Sequence, residues 1–217
     1  MSFKNELAKK AIELGAMVRE ESDRHVLSES ITHVISPPSI RTIKTLTAAL
    51  TKRFVISPKW ITDSYSDYVA KNKTEEAKGF LDPEKYGFHR SEDILVGKRV
   101  YITDAFQSPA YASKLDHLKN LIEKIGGGRI IEEPTSCDII ISDPSETDEY
   151  SQKAPKVLTW DSFINWICPL SDLQEAAQAS LSARTSSGEQ ESKREQEGSG
   201  AAPEEEDGPK KKSKRKK

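Results

Sequence analysis

The chain has 217 residues, 33 of them basic and 35 acidic, for a formal net charge of −2. Hydrophobic residues make up 35% and charged residues 31%. At roughly 100–200 residues per domain, this allows one large or two small domains and predicts an unfolded portion besides. No apolar run reaches the roughly 18–20 residues of a bilayer span. The opening MSFKNELAKK has no signal-peptide core, and Cys137 and Cys168 are too few for a disulfide scaffold. A soluble, intracellular protein without a membrane contact is expected.

In chain order, Asn5–Leu14 reads as a helix, with Leu7, Ala8, Ala11, Ile12 and Leu14 at helical spacing. Gly15 ends it, and a strand is expected over Ala16–Arg19. Ile31–Ser36 is a short apolar strand stopped by Pro37-Pro38. Ser39 can cap a helix over Arg41–Leu50, whose inward face would be Ile43, Leu46, Ala49 and Leu50. Phe54–Ile56 is a third strand, and Ser57-Pro58 opens a last helix carrying Trp60, Ile61 and Tyr65.

After a polar stretch the same order returns with an additional opening strand, Arg99–Thr103. A helix is predicted over Lys114–Ile125, then a stop at Gly126-Gly127-Gly128 and a strand over Arg129–Glu132. Asp138–Ser142 matches Ile31–Ser36 in place, and Val157–Thr159 leads into a helix over Trp160–Ile167. Short apolar strands alternating with helices argue an α/β fold of two repeats, each a small parallel sheet flanked by helices. The expected boundaries are 1–70 for the first repeat, 71–93 for a linker, 94–173 for the second repeat and 174–217 for a tail.

The tail has no aromatic and almost no aliphatic residue after Leu181, so it cannot offset its chain entropy by burial and is expected to be disordered. Within it, Lys210, Lys211, Lys212, Lys214, Arg215, Lys216 and Lys217 form a basic cluster after an acidic run. Such a cluster is either a solvated tail or a nuclear-localisation signal with weak non-specific nucleic-acid contact. Localisation to the nucleus is expected.

Gly15, Thr32-His33-Val34-Ile35 and Val55-Ile56-Ser57-Pro58-Lys59-Trp60 follow one another at a spacing that resembles a BRCT domain. The chain as a whole is similar to a tandem BRCT pair over about residues 3 to 172. The second repeat is weaker, because Ser162 falls where the family's helix tryptophan would be; Trp160 and Trp166 are candidates to fill that space. In the phosphopeptide-binding pairs of this family, the first repeat holds a phosphate and the groove between repeats reads the residue three positions on. The resemblance implies that Lys44 and Thr42 contact the phosphate. It implies that Arg41 meets the +3 residue or a C-terminal carboxylate, and that Leu46 and Phe106 line the groove; for Phe106 a core role stands equally open. Elementary physics agrees on Lys44, since a helix N-terminus with a lysine on its first turn suits a phosphate dianion. The ordinary alternative is that Arg41 and Lys44 are solvated surface charges.

One departure is expected to matter. The family's second phosphate ligand, a Ser/Thr-Gly pair ending a strand before the first helix, has no counterpart, and neither has that strand. A bond to a charged group is worth about 1.5–3 kcal/mol, so in a complete chain its loss would cost roughly tenfold to hundredfold in affinity, whereas a longer protein of which this is a fragment could hold the whole pocket. The acidic Ser145–Tyr150 stretch offers no phosphate site in the second repeat. The four histidines and two cysteines lack metal-ligand spacing, and no cofactor motif is present; neither a metal, a cofactor nor catalysis is expected. The resulting expectation is a monomeric nuclear module for a phosphoserine-containing protein tail, such as a damage-marked histone, in DNA repair or chromatin. Two rivals stand: a phosphate-independent BRCT scaffold for a protein partner, and a DNA-binding adaptor working through the basic tail.

Overall fold

The computed structural model describes residues 2–20 and 27–169, so the whole tail, with its basic cluster, lies outside the described residues. The first helix, α1 (Phe3–Glu13), ends as its sequence demands. Gly15 takes φ +97°, and the amides of Gly15 and Ala16 donate back to the carbonyls of Ile12 and Ala11, at 2.9 Å each. This is the paired closure that a glycine one residue past the helix permits.

Beyond it, β1 (His33–Ile35), α2 (Ile43–Leu50), β2 (Phe54–Ile56) and α3 (Lys59–Ala70) follow. The expected strand over Ala16–Arg19 is absent. Its counterpart in the second repeat, β5 (Arg129–Ile131), pairs only with β4 (Arg99–Ile102). The first repeat has no equivalent of β4 among the described residues, so residues 16–19 have nothing to pair with.

A second correction concerns the cap of α2. The helix starts at Ile43, not Arg41, and Thr42 rather than Ser39 caps it. Thr42 Oγ1 accepts from the Thr45 amide at 3.2 Å while Thr45 Oγ1 accepts from the Thr42 amide at 2.8 Å, a capping box with threonine in the place usually held by glutamate.

The polar stretch between the repeats does more than connect them. It carries β3 (Gly87–Phe88), which pairs antiparallel with β2 and gives the first sheet the order β1-β2-β3. Tyr86 is buried beside it and donates its hydroxyl to Asp63 at 3.2 Å.

In the second repeat β4 is followed by α4 (Ala112–Lys119), which runs on through a π-helical turn, Asn120–Ile125, before β5. β6 (Ile139–Ile141), the single turn α5 (Thr147–Tyr150), β7 (Val157–Leu158) and α6 (Trp160–Ile167) complete it. Its sheet is parallel throughout, in the order β5-β4-β6-β7. In α6, Ser162 is exposed and Phe163 is the fully buried ring; Trp160 and Trp166 are only partly buried against the same core.

One apolar cluster crosses from repeat to repeat. Leu46, Ala48, Ala49, Leu50 and Val55 from the first pack with Leu118, Leu121, Ile122, Phe163 and Ile167 from the second. α2 is therefore buried nearly all round rather than on one face, since Thr45 and Thr47 are buried along with its apolar residues.

His33 lies in β1 with its ring stacked on Phe54 at 5.1 Å and on Trp60 at 5.0 Å, and its Nδ1 is 2.7 Å from Thr32 Oγ1. Burial pushes its imidazole below the ordinary histidine range. The neutral ring is therefore favoured in the fold, so its contribution is complete above about pH 6.5 and is lost as pH falls below that. The denaturation midpoint of the native chain should drop between pH 6.5 and 5 relative to that of His33→Phe, which keeps the stacking ring but does not titrate. Parallel pH profiles for the two proteins would refute this.

Candidate functional site

The residues singled out by the motif converge at the amino end of α2, where the two repeats meet. Strand β1 delivers the chain to Ser36, whose hydroxyl donates to the Ile40 carbonyl at 3.2 Å and closes the Pro37–Ile40 turn. Arg41 and Thr42 follow at the helix entry and Lys44 lies on its first turn. The first amides of a helix have no acceptor within it and carry the positive end of its dipole. The box engages those of Thr42 and Thr45, and the Ile43 amide is left outside the helical ladder. No acidic residue stands in the first turn of α2.

Lys44 is half-buried. Its charge reaches Glu20, whose carboxyl is held below the ordinary range chiefly by the hydrogen bond from Lys4, at 2.8 Å, with Lys44 a smaller influence. The arrangement suits an anion with several oxygens: backbone N–H and a lysine at one point, a guanidinium one turn away.

Arg41 points across the junction. Its guanidinium donates to Asn165 Oδ1 at 3.0 Å and reaches the Cys168 carbonyl at 3.5 Å. A second arginine, Arg90, donates to the carbonyls of Trp166 at 2.7 Å and Ile167 at 3.3 Å. Together they satisfy the last carbonyls of α6, the negative end of that helix, and hold the second repeat against the start of α2. Sequence reasoning missed Asn165 and Arg90. A polar residue in the last turn of an amphipathic helix and an arginine in a polar connection carry no local mark of their partners.

The expected groove residues lie elsewhere. Leu46 and Phe106 are only 2% and 1% exposed. Leu46 is drawn into the shared core because α2 is covered on both sides, and Phe106 stacks on Tyr111 at 4.7 Å. Neither presents a face to a ligand. Thr42, Lys44 and Arg41 are together at the helix start; Leu46 and Phe106 stand behind it.

The second repeat has the opposite charge at the matching place. Its turn α5 carries Asp148 and Glu149. Asp143 nearby is held down to about 2 by hydrogen bonds from Ser145 and then Tyr111. Thr103, at the end of β4, is completely buried. Phosphate would meet carboxylates there.

Nothing among the described residues groups three or more His, Cys, Asp or Glu as a metal site. Cys137 is buried, donates its Sγ–H to the Pro134 carbonyl at 3.1 Å and has its thiol pushed up by burial, so it is not poised as a nucleophile. No helix among the described residues is long and apolar enough to cross a membrane.

No family model and no curated protein sequence matches the chain. Similar solved structures include BRCT repeats 1 and 2 of Rad4 in complex with a Crb2 phosphopeptide, at 20% identity and a TM-score of 0.32, covering 80% of this chain and 85% of that one. The same Rad4 repeats in complex with a Mdb1 phosphopeptide match at 18% identity and 0.32, covering 81% and 87%. BRCT repeats 3 and 4 of S. pombe Rad4 match at 14% identity and 0.28, covering 76% and 85%. Each of these is a tandem BRCT pair, the family that this chain's motifs resemble.

Proposed function

We propose that the chain is a phosphopeptide-binding module whose phosphate site is the amino end of α2, with Lys44 as the charged ligand. The observation that supports it most is the placement of Arg41, Thr42 and Lys44 at a helix start with no acidic residue in its first turn, at the junction of the repeats. The ligand is a phosphoserine peptide, with a damage-marked histone tail as the first candidate and the nucleus as the setting. The motif resemblance and the basic residues between 210 and 217 support that assignment.

Arg41's contact with Asn165 also favours a second reading, in which the junction is a phosphate-independent scaffold and Arg41 serves to fix the repeats. Calorimetry with matched phosphorylated and unphosphorylated histone-tail peptides separates the two. Removing the phosphate should abolish most of the affinity, and Lys44→Ala should cost about 1.5–3 kcal/mol, roughly tenfold to hundredfold. Equal affinity for both peptides, unmoved by Lys44→Ala in a folded protein, would leave the scaffold.

A further inference from the structure

Positive charge gathers at the end of α6 without a counter-ion. Arg41 spends one nitrogen of its guanidinium, Nη1, on Asn165 and the Cys168 carbonyl. Arg90 spends Nε and Nη2 on the carbonyls of Ile167 and Trp166. Lys156, just before β7, lays its ammonium over the Trp166 ring, 3.9 Å from the centroid, within range of a cation–π attraction. Three cations thus meet one helix end, from the entry of α2, the connection between the repeats and the second repeat itself.

Elsewhere on the described surface lysines lie against carboxylates, as Lys71 does on Asp67 at 2.8 Å and Lys73 on Glu13 at 2.6 Å. Neither Arg41, Arg90 nor Lys156 pairs with a carboxylate among the described residues. The negative end of α6 offsets only roughly half a charge of the three.

A guanidinium carries five N–H donors in one fixed plane. The contacts with α6 hold those planes still. They leave Nε and Nη2 of Arg41 and Nη1 of Arg90 with no acceptor among the described residues. Planar donors held in place suit a carboxylate, with little further ordering to impose on binding. Lys156 is half-buried, and burial first, then the charge of Arg90, pushes its ammonium below the ordinary lysine range. An anion set between the two would relieve that repulsion.

We propose that Arg41, Arg90 and Lys156, around Trp166, form an interaction surface for an acidic segment of a partner polypeptide, a short run of Asp or Glu whose carboxylates pair with Arg90 and Lys156. Nucleic acid is the weaker match. Its footprint is a basic stripe along a positively charged protein, whereas here three cations stand in one place on a chain of net charge −2. Arg41 belongs to the proposed phosphate site as well, but Arg90 and Lys156 do not, so the inference stands apart from the phosphate reading.

The test titrates the full chain calorimetrically with hexaglutamate and, in a separate arm, with single-stranded decathymidylate. Arg90→Gln and Lys156→Gln should each weaken hexaglutamate binding by roughly fivefold or more. Lys71→Gln, whose parent ammonium already has Asp67, should leave it unchanged. Arg90→Gln also frees carbonyls of α6; Lys156→Gln removes only a contact with a ring and carries the test if the first variant unfolds. No binding of hexaglutamate, or binding that neither variant moves, overturns the proposal. Loss through Lys44→Ala alone does so too, because it places the peptide at the start of α2. Tighter binding of decathymidylate, weakened by the same two variants, would make the surface a nucleic-acid site instead. Hexaglutamate binding seen only after Glu204→Gln, Glu205→Gln, Glu206→Gln and Asp207→Asn together would put the acidic segment in this chain and not in a partner.

Discussion

Phe163→Ala should lower the stability of both repeats together, by about 3–5 kcal/mol, although Phe163 belongs only to the second. The ring is fully buried on α6, within the cluster that joins Leu46, Ala49 and Val55 to Leu118, Ile122 and Ile167. Its truncation leaves a cavity whose lining includes both sides of the junction, and α2 loses part of the surface that covers it. Stability of this size is a large share of the roughly 5–15 kcal/mol that a domain has. Native-state amide exchange would report it locally. The amides of Val55 in β2 and Ile140 in β6 should speed up by the same factor, about a hundredfold or more. If Ile140 accelerates while Val55 does not, the repeats fold independently and the shared core is a contact between two finished domains.

The same shared core explains which features were legible in the sequence. Elements with local causes were found where they lie. Phe54–Ile56 is bounded by a turn before it and Ser57-Pro58 after it, and Trp160–Ile167 opens on Thr159, whose hydroxyl accepts from the Ser162 amide. Gly15 marked the end of α1 for the same reason. What failed depended on distant partners. Ala16–Arg19 has strand composition but no strand beside it among the described residues, and Gly87–Phe88 has little strand character of its own, being made a strand by the edge of β2. Periodicity gave α2 one inward face, since nothing local says that a second repeat covers the other.

The candidate site divides in the same way. The contiguous motif set Lys44 on the first turn of α2, where the structure has it, but put Thr42 inside the helix instead of at its cap. The cap fell on Thr42 rather than Ser39 because Thr45 returns the hydrogen bond, a role usually read from glutamate or glutamine. Arg41's contact with Asn165 spans 124 residues. Leu46 was assigned to a groove by analogy and packing withdrew it, while Phe106, open between groove and core, lies in the core. A short helix start is thus readable from sequence, whereas the wall facing it is set by how the repeats dock.

Gly87→Ala should be among the most damaging single substitutions in the first repeat, although it adds one methyl group. A Cβ at this position would stand 2.2 Å from the Val55 carbonyl oxygen and 2.8 Å from the Ile56 Cα. Both are backbone atoms of β2, the middle strand of the first sheet, so no side chain can rotate away. β3 must leave β2 or the sheet must open, and either breaks the pairing of Gly87 with Ile56. The bond from the Ser57 amide to the Tyr86 carbonyl, at 3.0 Å, would go with it. Tyr86 would then lose its buried place beside Ile56, Trp60 and Ile61. Strain of this kind costs about 3 kcal/mol or more, at the upper end for overpacked positions. The loss should appear in urea denaturation as a lower midpoint with the slope retained. Because β2 runs beside β1, which leads into the start of α2, the phosphopeptide affinity proposed for that site should weaken in the same variant before it unfolds. A midpoint within experimental error of the native chain would show that β3 is not held against β2, and that the connection between repeats contributes nothing to the first sheet.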